Sequence, residues 1–109
     1  NLSSGAAKYG SPGEDVDYAA SKAAIDTLTI GLAREVAEEG IRVNAVRPGF
    51  IDTEIHQSGG EPDRMERVRP LVPMKRVGQT EEVADAIMWL LSDKASYITG
   101  TILDVSGGR

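Results

Sequence analysis

The sequence predicts an α/β fold with a parallel sheet. Two short stretches, residues 41–46 and 101–105, alternate or concentrate branched apolar side chains as strands do. Two longer stretches, about 18–39 and from Thr80 to near Ser92-Asp93, carry apolar residues at helical spacing and interleave with them. Glycine or proline marks the junctions. A strand–helix–strand–helix–strand order implies right-handed crossovers and strands that run one way.

Residues 1–4 read as the end of a first strand. Residues 5–17, with three glycines, one proline and three acids, read as a loop. In the long helix that follows, Ile25, Leu28, Leu32 and Val36 share one stripe. Ala23, Ile30, Ala33 and Ala37 add apolar surface beyond it, which predicts cover on two sides. Gly40 stands where helices often end in a left-handed residue. The strand over 41–46 is expected to stop at Arg47-Pro48-Gly49, because proline has no N–H to donate. Residues 50–79 are the least regular span, with a short helix expected around 62–68. Thr80 is the expected N-cap of the next helix, with Glu81 and Glu82 at its positive end. Val83, Ile87, Leu90 and Leu91 follow along it, and Gly100 and Gly107-Gly108 bracket the last strand.

Two strands and a fragment cannot cover a parallel sheet on both faces and both edges. The chain of 109 residues is therefore expected to be half of a domain, and it begins at Asn1 without a methionine, as a processed or truncated sequence does. The composition, 40% hydrophobic, excludes a disordered chain. No apolar run is long enough to span a bilayer. Twelve Lys+Arg against seventeen Asp+Glu gives a charge of −5, which argues against nucleic-acid and anionic-membrane partners. The absence of cysteine excludes disulfides and thiolate metal sites and fits a reducing cytoplasm. His56 is the only histidine, so no His-based metal site or triad is expected; it reads as surface or pocket rim.

The chemistry-bearing residues converge on one rim. Tyr18 and Lys22 stand four apart at the start of the long helix and project from one face. A free phenol, with a pKa near 10, is a poor base at neutral pH, and a lysine ammonium beside it favours the phenolate. The same pair is often no more than part of a solvated helix face. Ser4 ends the first strand, and the segment 48–53 follows the second, both at the edge where α/β enzymes place reactive groups. A Ser4 hydroxyl there can bond a substrate oxygen. Gly49 permits close approach of a ligand, and backbone N–H groups with the Thr53 hydroxyl can bind amide or phosphate oxygens.

Ser4, Tyr18-Ala19-Ala20-Ser21-Lys22, the run from Ile41 to Gly49 and the Gly100, Asp104, Gly107-Gly108 ending together resemble the short-chain dehydrogenase/reductase family. The likeness covers essentially the whole chain and matches the C-terminal half of a doubly wound, Rossmann-type domain, closest to bacterial members of glucose-dehydrogenase type. The resemblance implies an oxidoreductase that moves a hydride between NAD or NADP and a secondary alcohol or carbonyl. It implies Tyr18 as acid/base, Ser4 orienting the substrate oxygen, and Lys22 aiding the tyrosine and bonding the nicotinamide ribose. Pro48, Gly49, Ile51 and Thr53 would hold the nicotinamide carboxamide. It further implies a small-molecule substrate and a homo-oligomer, tetramer or dimer.

Three family features lie outside this sequence: the glycine-rich first turn, the residue that separates NAD from NADP, and the asparagine of the proton relay. The Ser4-to-Tyr18 spacing is one residue longer than usual, which Gly13-Glu14-Asp15 absorbs as an insertion. Ser3 remains the alternative, since neighbouring strand residues face opposite sides. A chain without the phosphate-binding turn is also open to a second reading, as an inactive fragment or an assembly subunit. Arg64, Arg67, Arg69, Lys75 and Arg76 read as a solvated patch interleaved with acids, and Trp89 as a packing residue. Tyr9 and Tyr97 have no evident partner in the sequence.

Overall fold

The computed structural model describes residues 1–53 and 63–109. Helices α1 (Ala6–Tyr9), α2 (Val16–Val36), α3 (Arg64–Val68) and α4 (Thr80–Leu91) alternate with strands β1 (Ala45–Pro48), β2 (Ile51–Asp52), β3 (Gly78–Gln79) and β4 (Ile102–Val105). Strand β1 pairs parallel with β4, Ala45 against Ile102 through Pro48 against Val105. On its other side β1 meets Leu2 in a parallel bridge at Val46. The expected strand order, with residues 1–4 as the tail of a strand, is what forms. A second parallel pair, β2 with β3, is only two residues long, too short to leave a periodic signal.

Two faces of the sheet are covered. Val46 points to α4 and the turn after it, where Val83 and Leu90 of the helix and Ala95 of the turn Asp93–Ala95 complete a buried cluster with Ile87, Ile98 and Leu103 against it. Ala45 and Arg47, one residue either side, therefore face α2. The side of α2 turned inward is small: Ala19, Thr29 and Ala33 are its buried residues. The expected stripe is corrected here. Leu28 and Leu32 are 56% and 37% exposed, because close helix–sheet packing selects the small face and leaves the larger side chains outside.

Several boundaries also differ from expectation. The loop 5–17 contains the single turn α1, and its first turn is held by the Ala6 N–H donating to Ser4 Oγ at 3.2 Å. Residues 41–44 are not ladder-paired strand: side chains supply part of the pairing, while the Val43 carbonyl still accepts from the Gly100 N–H at 2.7 Å. Val43 N–H donates to Thr99 Oγ1 at 3.1 Å, and Asn44 bridges to the Ile98 carbonyl and the Thr101 N–H. Pro48 does not stop β1. Ala45 and Gly49 donate toward the β4 side, whereas Val46 and Pro48 face the 1–5 segment, where Pro48 contributes its carbonyl to the Gly5 N–H at 2.9 Å. The N-cap of α4 is the extended Gln79 rather than Thr80, and its N–H donates to Glu82 Oε2 at 2.8 Å. Helix α2 does end as expected: the chain tightens through Ala37–Glu39 into Gly40 at φ 75°.

Candidate active site

The rim is assembled by backbone hydrogen bonds among three segments. Ser3 N–H donates to the Val46 carbonyl at 2.8 Å and Gly5 N–H to Pro48, which fixes Ser4 between β1 and α1. Lys22 Nζ donates to the Leu2 carbonyl at 3.1 Å, so the second turn of α2 is tied to the same segment. Its ammonium stands 5.7 Å from the centroid of the Tyr18 ring, within the range of a cation–π contact. Tyr18 itself is 46% exposed, and its hydroxyl has no hydrogen-bond partner among the described residues.

The two serines divide as strand alternation requires. Ser3 is buried, and its hydroxyl donates to the Lys22 carbonyl at 3.4 Å. Ser4 is half-buried and accepts from Ala6, which leaves its own O–H to donate elsewhere.

Beyond β1, Gly49 N–H donates to the Val105 carbonyl at 3.0 Å. A Cβ at Gly49 would stand 2.9 Å from Ser106 Cβ and 3.0 Å from Ser106 Cα. The glycine is thus required by the neighbouring chain as well as suited to a ligand. Ile51 lies in β2 against the core cluster, and Thr53 follows, half-buried. Ser4, Lys22 and Pro48 are brought together by these bonds, and Tyr18 by its contact with Lys22. An open cleft of about 540 Å³ adjoins the 48–53 segment, lined by Phe50, Ile51, Met74, Arg76, Lys8 and Arg109 among others; it includes none of Ser4, Tyr18 and Lys22. His56 and Gly59-Gly60 lie outside the described residues.

Two arrangements near the rim had no counterpart in the sequence reading. Arg47 reaches Asp26 on α2 at 3.0 Å and Asp104 on β4 at 3.2 Å. Burial opposes its charge, but the hydrogen bonds and charges of the two aspartates outweigh it and raise the Arg47 pKa. An arginine within an otherwise apolar strand, and an aspartate on the inner face of α2, were the available signals. Tyr9, whose partner was not evident in the sequence, stacks with the Arg109 guanidinium at 4.7 Å, which also lies 4.8 Å from Phe50. The Tyr9 hydroxyl and Lys8 Nζ both donate to the Arg109 backbone oxygen. Most of the basic patch is solvated surface: Arg69 pairs with Glu66, Arg76 with Glu82, and Lys75 donates to the Pro70 carbonyl. Arg64 departs from that expectation, half-buried with its Nε enclosed and without a hydrogen-bond partner among the described residues. Trp89 is 44% exposed and Tyr97 fully so.

A family model described as enoyl-(acyl carrier protein) reductase matches residues 1–109. The chain belongs to the short-chain dehydrogenase/reductase family. It is 68% identical, over its whole length, to 44% of an uncharacterized oxidoreductase, YgfF, of Escherichia coli. It is 50% identical over 93 residues to the 3beta-hydroxysteroid dehydrogenase 1 of Eggerthella lenta, matching 84% of this chain and 36% of that protein. The crystal structure of a short-chain dehydrogenase/reductase, glucose/ribitol dehydrogenase, from Brucella melitensis superposes with a TM-score of 0.85 at 36% identity, covering 98% of this chain and 42% of that one. The chain thus spans less than half the length of these relatives. The fold is accordingly part of a Rossmann-type α/β domain, and the relatives' common chemistry is oxidoreduction. No helix among the described residues is long and apolar enough to cross a membrane.

Proposed function

We propose that this chain is the C-terminal, proton-transferring portion of an NAD- or NADP-dependent oxidoreductase acting on a secondary alcohol or carbonyl. The observation that carries the reading is the Lys22 ammonium 5.7 Å over the ring of an exposed Tyr18, on a helix turn tied to the segment that holds Ser4. In carbonyl reduction Tyr18 gives its proton to the substrate oxygen, and in alcohol oxidation it takes that proton back. Ser4 donates to the same oxygen and fixes its direction. Lys22 keeps a positive charge beside the phenol and stabilises negative charge developing there.

The donor set fits a nicotinamide nucleoside. Lys22 uses one donor on Leu2 and has two more for ribose hydroxyls, while the segment through Pro48, Gly49, Ile51 and Thr53 offers amide and hydroxyl groups to a carboxamide. When bound, the nicotinamide supplies or accepts the hydride. The substrate of this reading is a small alcohol or carbonyl compound, and a chain without cysteine suits a reducing cytoplasm.

The test is Tyr18→Phe in the full-length protein, followed by nicotinamide absorbance with NADH and NADPH against a panel of small ketones. Turnover should fall by about 100-fold or more while cofactor affinity changes little. Parental turnover in the folded variant would remove Tyr18 from the mechanism.

A further inference from the structure

We propose that Arg47 is a positioning residue of this site, seating helix α2 against β1 through its ion pairs with Asp26 and Asp104. The inference rests on the reading above, in which Tyr18 and Lys22 carry the proton chemistry. Tyr18, Lys22 and Asp26 follow one another at helical four-residue intervals along one side of α2, from the exposed Tyr18 to the largely buried Asp26. Arg47 immediately precedes Pro48-Gly49 in the chain. One guanidinium, 3.0 Å from Asp26 and 3.2 Å from Asp104, therefore joins the turn just below Lys22 to the strand just below the 48–53 segment. The side chains of Arg47 and Asp26 are only 17% and 13% exposed.

Stability does not account for this choice of residues. Asp26 Oδ1 and Arg47 Nε are buried without a hydrogen-bond partner among the described residues, an arrangement that weakens a fold. Apolar replacements of a buried ion pair are often neutral or stabilising. What an apolar contact does not provide is a fixed register. The inner face of α2 consists of small residues, Ala19, Thr29 and Ala33, which offer few interlocking shapes against the sheet. The directed bonds of Arg47 set the height and rotation of the helix, and with them the separation of Tyr18 and Lys22 from the segment opposite. A displacement of about 1 Å at such a site lowers rate by about 100-fold.

The experiment uses the full-length protein and the ketone that the parent reduces fastest. The double variant Arg47→Met with Asp26→Leu keeps the site filled and removes the directed bonds. Its expected melting temperature is within a few degrees of the parent, with kcat lowered about tenfold or more and KM within about threefold. Arg47→Lys, which still reaches one carboxylate, should recover part of that turnover. If the double variant does not fold, Asp26→Asn, which keeps shape and removes charge, carries the test with an expected kcat loss of about threefold or more. Parental kcat in either folded variant overturns the proposal. Loss of turnover in Tyr18→Phe alongside parental turnover in the Arg47 variants overturns this inference alone; parental turnover in Tyr18→Phe overturns the earlier reading instead.

Discussion

Arg76 and Glu82 meet through two hydrogen bonds, Nη1 to Oε2 at 2.9 Å and Nη2 to Oε1 at 2.8 Å, at the start of helix α4. The same carboxylate accepts from the Gln79 N–H, so one side chain fixes the incoming loop and caps the helix. The Arg76 guanidinium and the Gln79 N–H hold the Glu82 carboxyl at about 2, below its ordinary 4.5. A lowered folded-state value means that the contribution to stability is present above 4.5 and lost as pH falls toward 2. Glu82→Gln should lower the melting temperature at neutral pH, and the gap to the parent should close across that acid window. A gap that persists unchanged in acid would show that the charge is not responsible.

Thr29 is fully buried; its hydroxyl donates to the Ile25 carbonyl and accepts from the Asn1 amide, both at 2.8 Å. Thr29→Val keeps the shape and leaves the Asn1 donor facing a methyl group. Urea unfolding should report a loss of about 1–3 kcal/mol. A midpoint equal to the parent's would mean that the amide finds another acceptor.

Arg42 gathers the end of α4, donating to the Leu90 carbonyl at 2.8 Å, to Ser92 at 3.3 Å and to Ile98 at 3.4 Å. Charge-assisted bonds to the last carbonyls of a helix also favour its negative end. Arg42→Met should raise amide hydrogen exchange in the last turn of α4 and lower stability by about 1–3 kcal/mol. Exchange confined to residues distant from α4 would contradict this role.

Gly49 and Ser106 leave no room for a side chain between them. Gly49→Ala must push apart the ends of β1 and β4, at a cost of about 1–3 kcal/mol. Because the displaced segment includes Ile51 and Thr53, KM for the nicotinamide cofactor should rise together with the fall in melting temperature. A stable variant with parental KM would show that the rim absorbs the methyl group without moving.

The outer side of α2 presents Leu28 and Leu32 with exposed Ala24 and Gly31, an apolar strip. We expect the full-length protein to be a dimer or tetramer by light scattering. Leu28→Glu with Leu32→Glu should lower that mass while retaining the helical circular-dichroism signal. A parent that is already monomeric would exclude this use of the strip.

Element order and strand direction were legible because glycine, proline and apolar period survive as local patterns. The expectation that Ser4 and the 48–53 segment share one rim followed from the strand ends, and the bonds of Ser3, Gly5 and Lys22 do link those segments. What escaped depends on partners far away in the chain. Leu28 and Leu32 satisfy the period of a buried stripe, yet the tighter packing of Ala19, Thr29 and Ala33 decides which face goes inward. Residues 41–44 alternate like a strand, but Asn44 and Thr99 side chains take over part of the pairing that a ladder would make. Pro48 survives inside β1 because its missing N–H lies on the side of the 1–5 segment, a fact that emerges only from the pairing register.

The junction of Asp26, Arg47 and Asp104 has a kinetic consequence. Its members are separated by 21 and 57 residues, so it closes only after α2 has formed and β1 has found β4. Interactions completed after the folding barrier act on the escape rate rather than the folding rate. The junction is accordingly expected to close late, and the Arg47→Met, Asp26→Leu variant should refold at the parental rate, as stopped-flow fluorescence of Trp89 would read.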